Sequence, residues 1–227
     1  MIMTMSARID HEYIQAHVSL GSRVLDLGCG DGTLLEDLIQ RKKVDGWGID
    51  IDEAAVCECV GKGIPVYHAD MLEGMSMFSD GAFDYVILSQ TLQQTLQPAR
   101  VIEEMLRVGM KAIISFPNWA HWQVRLQLLF KARAPVTRAL PYQWHQNPNV
   151  RQLTVKDFLR FCGERDLCIG DRIYFSPAYR KVPAPAANWL ASMAVFVIER
   201  PHARGLCGQS PSCAASSNRI QLPCSVQ

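Results

Sequence analysis

Three short stretches bring together groups that could hold one ligand. Val24-Leu25-Asp26-Leu27-Gly28-Cys29-Gly30-Asp31-Gly32 breaks an apolar run into alternating glycines. Glycine adopts backbone conformations that side chains forbid, and it lets a ligand reach main-chain N–H groups at the positive end of a following helix. Asp50 closes the segment Gly46-Trp47-Gly48-Ile49, where the chain has returned to the sheet one strand over. A carboxylate there can accept from both hydroxyls of a ribose. Asp70 follows Pro65–Tyr67 at a third strand end and can accept from an adenine amino group, while Met71 offers a backbone N–H or a flat apolar face. Together this is the chemistry of an adenosine-bearing cofactor. Asp50 or Asp52 could equally cap the next helix, and Asp70 could be a plain loop acid. We assign Asp52 to the cap and Asp50 to the ribose.

The elements that must carry these groups alternate along the chain. Ile9, Tyr13, Ile14 and His17 suggest a leading helix within 8–20, with His11 and His17 solvated or satisfied in the core. Strand Arg23–Leu27 precedes a helix over Thr33–Lys42, whose buried stripe is Leu34, Leu35, Leu38 and Ile39. After the second strand come a helix over Glu53–Val60, the third strand, a loop over Leu72–Gly81, and strand Phe83–Ser89 with Ser89 and Gln90 at its rim. Pro98 opens a helix, a position where its missing N–H has no partner to lose. Ala112–Ser115 is strand five. Thr154 and Asp157 form a capping-box-like start to a last long helix, and Cys168–Tyr174 and Ala194–Glu199 finish the sheet as an antiparallel pair. The expected fold is α/β, a doubly wound, seven-stranded, mostly parallel sheet with an antiparallel last strand and its ligand across the carboxyl ends. One domain is expected over 8–200. Residues 201–227, rich in Gly, Ser, Pro, Cys and Gln without periodicity, read as a disordered tail.

Between strand five and the Thr154 helix, Phe116–Asn149 concentrates aromatic, amide, imidazole and guanidinium groups. Trp122, Leu126, Leu129 and Phe130 read as the core stripe of one helix. Asn118, His121, Arg125, Tyr142, Trp144, His145 and Asn147 are left as candidates for an acceptor pocket or a partner contact. His121, Tyr142 and His145 could take a proton from an oxygen acceptor; no catalytic assignment follows from this.

Composition narrows the class. The 227 residues carry a net charge of +1 and are 48% hydrophobic, so no bulk field attracts nucleic acid or an anionic membrane surface. The eight cysteines include no C-x-x-C pair and no His–Cys cluster at zinc spacing, so no metal is expected. Arg8, Asp10, His11 and Glu12 interrupt any secretory core, and Trp189–Ile198 is too short to span a bilayer. The expectation is a reducing, cytoplasmic protein with free thiols.

The assembled stretches resemble the class I S-adenosylmethionine-dependent methyltransferases. The block from Val24 to Gly32 matches their first motif, Gly48-Ile49-Asp50-Ile51 their second, and Ala69-Asp70-Met71 their third. The resemblance implies a Rossmann-like fold, S-adenosylmethionine as cofactor, and Asp26, Gly28, Gly30, Gly32, Asp50, Ile51, Asp70, Met71 and Ser89 as its binding residues. In a dinucleotide enzyme the third glycine falls one position later, which favours the methyl donor over NAD. A narrower resemblance covers about residues 8–200: Val-Ile-Leu-Ser-Gln-Thr-Leu-Gln, Ser-Phe-Pro-Asn, His-Trp and Leu-Pro-Tyr-Gln-Trp are similar to blocks of the methionine biosynthesis MetW family. This implies a bacterial cytoplasmic protein acting beside homoserine O-acyltransferase, either as a methyltransferase or as a sensor that binds the cofactor and regulates the acyltransferase without methylating anything.

Overall fold

The computed structural model describes residues 7–200; the tail expected at 201–227 lies outside them. Seven strands form one sheet in the order β3-β2-β1-β4-β5-β7-β6. They are β1 (Arg23–Leu27), β2 (Asp45–Asp50), β3 (Val66–His68), β4 (Phe83–Ser89), β5 (Gly109–Pro117), β6 (Cys168–Phe175) and β7 (Met193–Glu199). The first five run parallel, whereas β7 is antiparallel to both β5 and β6. The helices are α1 (Ala7–His17), α2 (Thr33–Lys42), α3 (Glu53–Gly61), α4 (Met71–Ser76), α5 (Pro98–Val108), α6 (Trp122–Lys131), α7 (Val155–Glu164) and the short α8 (Ala187–Leu190). Among the described residues no helix is long and apolar enough to cross a membrane.

Successive strand residues point to opposite faces, and each face has its own core. Leu25, Leu27, Val86, Leu88, Phe116 and Phe196 face one way, joined by Phe158 of α7. Val24, Ile87, Ile113, Val195 and Val197 face the other, against Ile14 and Val18 near α1 and the Leu34, Leu35 and Leu38 stripe of α2. Asp26 alternates with Leu25 and Leu27 and therefore lies on the α1 and α2 side.

Two sequence expectations change. Residues 72–81 are not all loop, because α4 occupies Met71–Ser76. Asp70 caps its first turn by accepting from the Leu72 N–H at 2.8 Å, and Arg107 donates to the Met75 carbonyl at 3.0 Å beyond its end. Gly74 lets this helix lie on β2: a Cβ there would sit 2.7 Å from Ile49 Cδ1. Met71, Leu72, Glu73 and Met75 favour the helix, and the two caps with this packing offset the cost of Gly74. The second change concerns α6, where only Val124 is buried. Trp122 and Leu126 stand partly in solvent, and Leu129 and Phe130 are 73% and 77% exposed, so the expected core stripe faces outward.

Candidate functional site

The glycine turn lies at the carboxyl end of β1, next to β4, where the strand order changes direction. Clefts at such points hold ligands in open α/β sheets. Gly28, Gly30 and Gly32 all have positive φ, at 67°, 55° and 74°. A Cβ on Gly28 would meet the Thr91 side chain at 2.9 Å, and one on Gly32 would meet Cys59 Sγ and Ile64 at 2.8 Å. A Cβ on Gly30 would meet nothing within 4 Å and would project into open space above the turn. Gly28 and Gly32 thus serve packing, while Gly30 leaves room for a ligand. Cys29 and Cys59 lie 3.9 Å apart beneath the turn, and burial pushes both thiols up, so they remain protonated.

Asp50, at the end of β2, supports the turn directly. Its Oδ2 accepts from the Gly30 N–H at 2.7 Å, and Oδ1 accepts from the Asp52 N–H at 2.9 Å. Each carboxylate oxygen keeps a second acceptor position. Asp52 caps α3, accepting from Ala54 N–H at 3.0 Å, as its sequence position predicts. Ile51 is 70% exposed at the lip, and the His68 ring lies 3.0 Å from its carbonyl. Met71 is half-buried at the start of α4. Asp70 is a helix cap and not the plain loop acid that sequence allowed: Oδ1 caps α4, while the exposed carboxylate has no second partner among the described residues.

Asp26 is buried, and its Oδ1 has no hydrogen-bond partner among the described residues. Burial first, then the nearby carboxylates of Asp50 and Asp10, push its carboxyl up to about 8. A buried unpartnered acceptor is costly, and three carboxylates around one turn favour a cation.

Asp10 itself was not recognised from sequence as part of this region. It is fully buried on α1 and accepts from the hydroxyls of Ser89 and Ser115, each at 2.7 Å, fastening α1 over the carboxyl ends of β4 and β5. A signal was available: Asp10, Ile14 and Val18 are spaced four apart and share the buried side of the leading segment. Ser89 thus has its hydroxyl proton committed to Asp10.

The block after β5 divides in the reverse of the expected way. Asn118 and His121, taken as pocket candidates, are each 2% exposed and structural. Asn118 donates to the Ala191 carbonyl at 2.8 Å and accepts from the Ala120 and Val155 N–H groups. His121 caps α6 through Nδ1, which accepts from the Gln123 N–H at 3.4 Å. That contact assigns the ring proton to Nε2, which is buried without a partner among the described residues, and burial lowers the ring's pKa. A neutral, enclosed capping imidazole is poorly placed as a base for an acceptor. Tyr142 is half-buried, while His145 and Trp144 are exposed, the latter by 79%; all three lie on the segment between α6 and α7. Arg125 donates to the Ala120 carbonyl and stacks over Trp189 at 4.7 Å.

The sequence matches the family of methionine biosynthesis protein MetW over residues 8–198. This chain belongs to the MetW family. It is 34% identical over 203 residues to the bifunctional methionine biosynthesis protein MetXA/MetW of Rhodopirellula baltica, covering 85% of the chain but 33% of that relative. It is 33% identical over 116 residues to a ubiquinone biosynthesis O-methyltransferase of Nitrosococcus oceani, covering 47% of the chain and 49% of the relative. The chain therefore spans a third to a half of the lengths of these relatives. Among solved structures, an S-adenosylmethionine-dependent methyltransferase from Mesorhizobium loti superposes with a TM-score of 0.60 at 17% identity, over 85% of this chain and 98% of the other. The MetW fold is thus that of the class I methyltransferases, with β7 inserted antiparallel beside β5.

Proposed function

We propose that this MetW-family chain binds S-adenosylmethionine at the β1–β4 cleft and acts in methionine biosynthesis as a methyltransferase alongside homoserine O-acyltransferase. The observation that carries the donor reading is Asp26: a buried carboxylate oxygen without a partner, beside a glycine turn open above Gly30, with Asp10 and Asp50 adding negative charge. A ligand with a sulfonium and an ammonium group is attracted by that charge. The pyrophosphate of a dinucleotide is repelled by it.

When bound, the donor supplies a methyl group made electrophilic by its sulfonium. In this reading Asp26 faces the cationic end, Asp50 receives the ribose hydroxyls while holding the Gly30 N–H, and Ile51 and Met71 offer apolar surface to the adenine with Asp70 at its edge. In-line displacement needs collinearity and exclusion of water more than a general base, so the absence of a placed base is compatible with transfer to an already nucleophilic atom. The partnership is supported by the relative whose name joins MetXA to MetW.

Calorimetric titration with S-adenosylmethionine and NAD, followed by a radiolabelled methyl-transfer assay on the acyltransferase and on acyl-homoserines, tests the proposal. Binding of the donor alone, with label transferred, is expected. Binding of NAD in preference would refute the cofactor assignment, and donor binding without transfer would leave a sensor in place of an enzyme.

A further inference from the structure

One arginine stands between two contiguous hollows next to the β4 rim. The inner hollow is a water-sized recess lined by Gln90, Arg138, Phe175, Tyr179 and Met193. The outer one is an open groove of about 670 Å³ whose walls include Trp122, Leu126, Val136 and Pro177. Arg138 and Pro177 belong to both. Gln90 directly follows Ser89, and its N–H donates to Ser115 Oγ, the hydroxyl that also reaches Asp10. The recess therefore adjoins the cleft at its β4 and β5 side.

The inner end is polar and incompletely satisfied. Arg138 donates to the Pro177 carbonyl at 3.2 Å and lies 4.4 Å over the Tyr179 ring, yet it has no carboxylate partner among the described residues. The Tyr179 hydroxyl is buried with no partner among them. Gln90 and Tyr179 both hold positive φ, at 53° and 62°, which is costly for side chains of their size and clusters at binding sites. The outer groove sets Trp122, Leu126, Val136 and Pro177 beside Gln123, Gln127 and Thr137, and its Trp122 and Leu126 side chains are exposed. A cation without a carboxylate partner at the inner end of a partly apolar trough complements an anionic head on an apolar chain.

We propose that this groove binds a small amphipathic carboxylate, its head on the Arg138 guanidinium at the mouth of the recess and its chain along Trp122, Leu126 and Val136. That this ligand is the methyl acceptor rests on the reading of the donor cleft above; its binding does not.

Octanoate and octylamine, matched in chain and opposite in head charge, are titrated calorimetrically into the full chain without any donor, and the donor is titrated separately. Octanoate is expected to bind at least tenfold more tightly than octylamine. Arg138→Ala should erase that preference while keeping the wild-type melting temperature and donor affinity. A merely structural Arg138 would shift stability and leave the preference intact, which would overturn the proposal. Equal binding of the two probes, no octanoate binding up to about 10 mM, or self-association of the chain abolished by Leu126→Gln would also overturn it, the last by making the face a protein contact. Failure of donor binding with octanoate selectivity retained would refute the donor reading alone.

Discussion

The carboxylate of Asp50 accepts a 2.7 Å hydrogen bond from the backbone N–H of Gly30, so the residue proposed to hold the ribose also shapes the turn beneath the rest of the donor. Asp50→Ala should lower S-adenosylmethionine affinity about a hundredfold, near 2.7 kcal/mol. Asp52→Ala, which removes only the α3 cap, should cost roughly 1 kcal/mol of stability and leave affinity within a few-fold. Calorimetric titration beside urea unfolding separates the two, and equal affinities for Asp50→Ala and wild type would remove Asp50 from the site.

If the proposed donor binds beside Asp26, its binding should release a proton. With its carboxyl at about 8, the group is mostly protonated at neutral pH, and a bound cation favours the ionised form. Titrations at pH 7 in buffers of different ionisation enthalpy should report release of close to one proton, and Asp26→Asn should release none. The stability consequence has a definite sign. The folded state holds a proton that the unfolded state has already lost between the ordinary Asp value and about 8, so stability falls as pH rises through that window. Melting curves of wild type and Asp26→Asn should diverge progressively from pH 5 to pH 8, with the variant less affected.

Replacing Asp10 with alanine leaves the half-buried hydroxyl of Ser89 and the buried hydroxyl of Ser115 without their acceptor, at a cost of ~2 kcal/mol. Asp10→Asn retains an acceptor and should lose less. Hydrogen exchange should show the damage concentrated in α1 and at the ends of β4 and β5. A uniform loss of protection would mean that Asp10 does not fasten α1 in particular.

The outward face of α6 predicts an unusual tolerance. Leu129→Gln and Phe130→Gln should each change stability by no more than about 0.5 kcal/mol, as exposed positions do. Val124→Ala, at the one buried position of that helix, should cost clearly more, ~2 kcal/mol. Chemical denaturation of the three variants checks the order, and its reversal would show that α6 is packed inward after all.

Local chemistry accounts for what was legible in the chain. The Asp52 cap and the Thr154 cap are each decided by residues within a few positions, and each forms as read; Thr154 Oγ1 accepts from the Asp157 N–H at 3.1 Å. Periodicity shows that α6 has an apolar face but carries no information on what covers it, which is why Trp122, Leu126, Leu129 and Phe130 were placed in a core they do not join. Asn118 and His121 read as pocket residues because polar groups near a strand end suggest chemistry. His121 instead caps its own helix through the Gln123 N–H two residues on, whereas Asn118 meets the Ala191 carbonyl and the Val155 N–H, which only the fold brings close. The same holds for Asp10, whose two serines lie 79 and 105 residues away.

The insertion of β7 between β5 and β6 sets the order in which the sheet can be completed during synthesis. Lys111 of β5 pairs with Glu199, and Cys168 of β6 pairs with the same residue. Until the last described strand leaves the ribosome, β5 keeps an unpaired edge and β6 has no neighbour to bind. Open edges of this kind recruit foreign strands. A nascent chain stalled before Met193 therefore carries the five parallel strands with an adhesive border, and β7 serves as the seal that ends its vulnerability to misassembly.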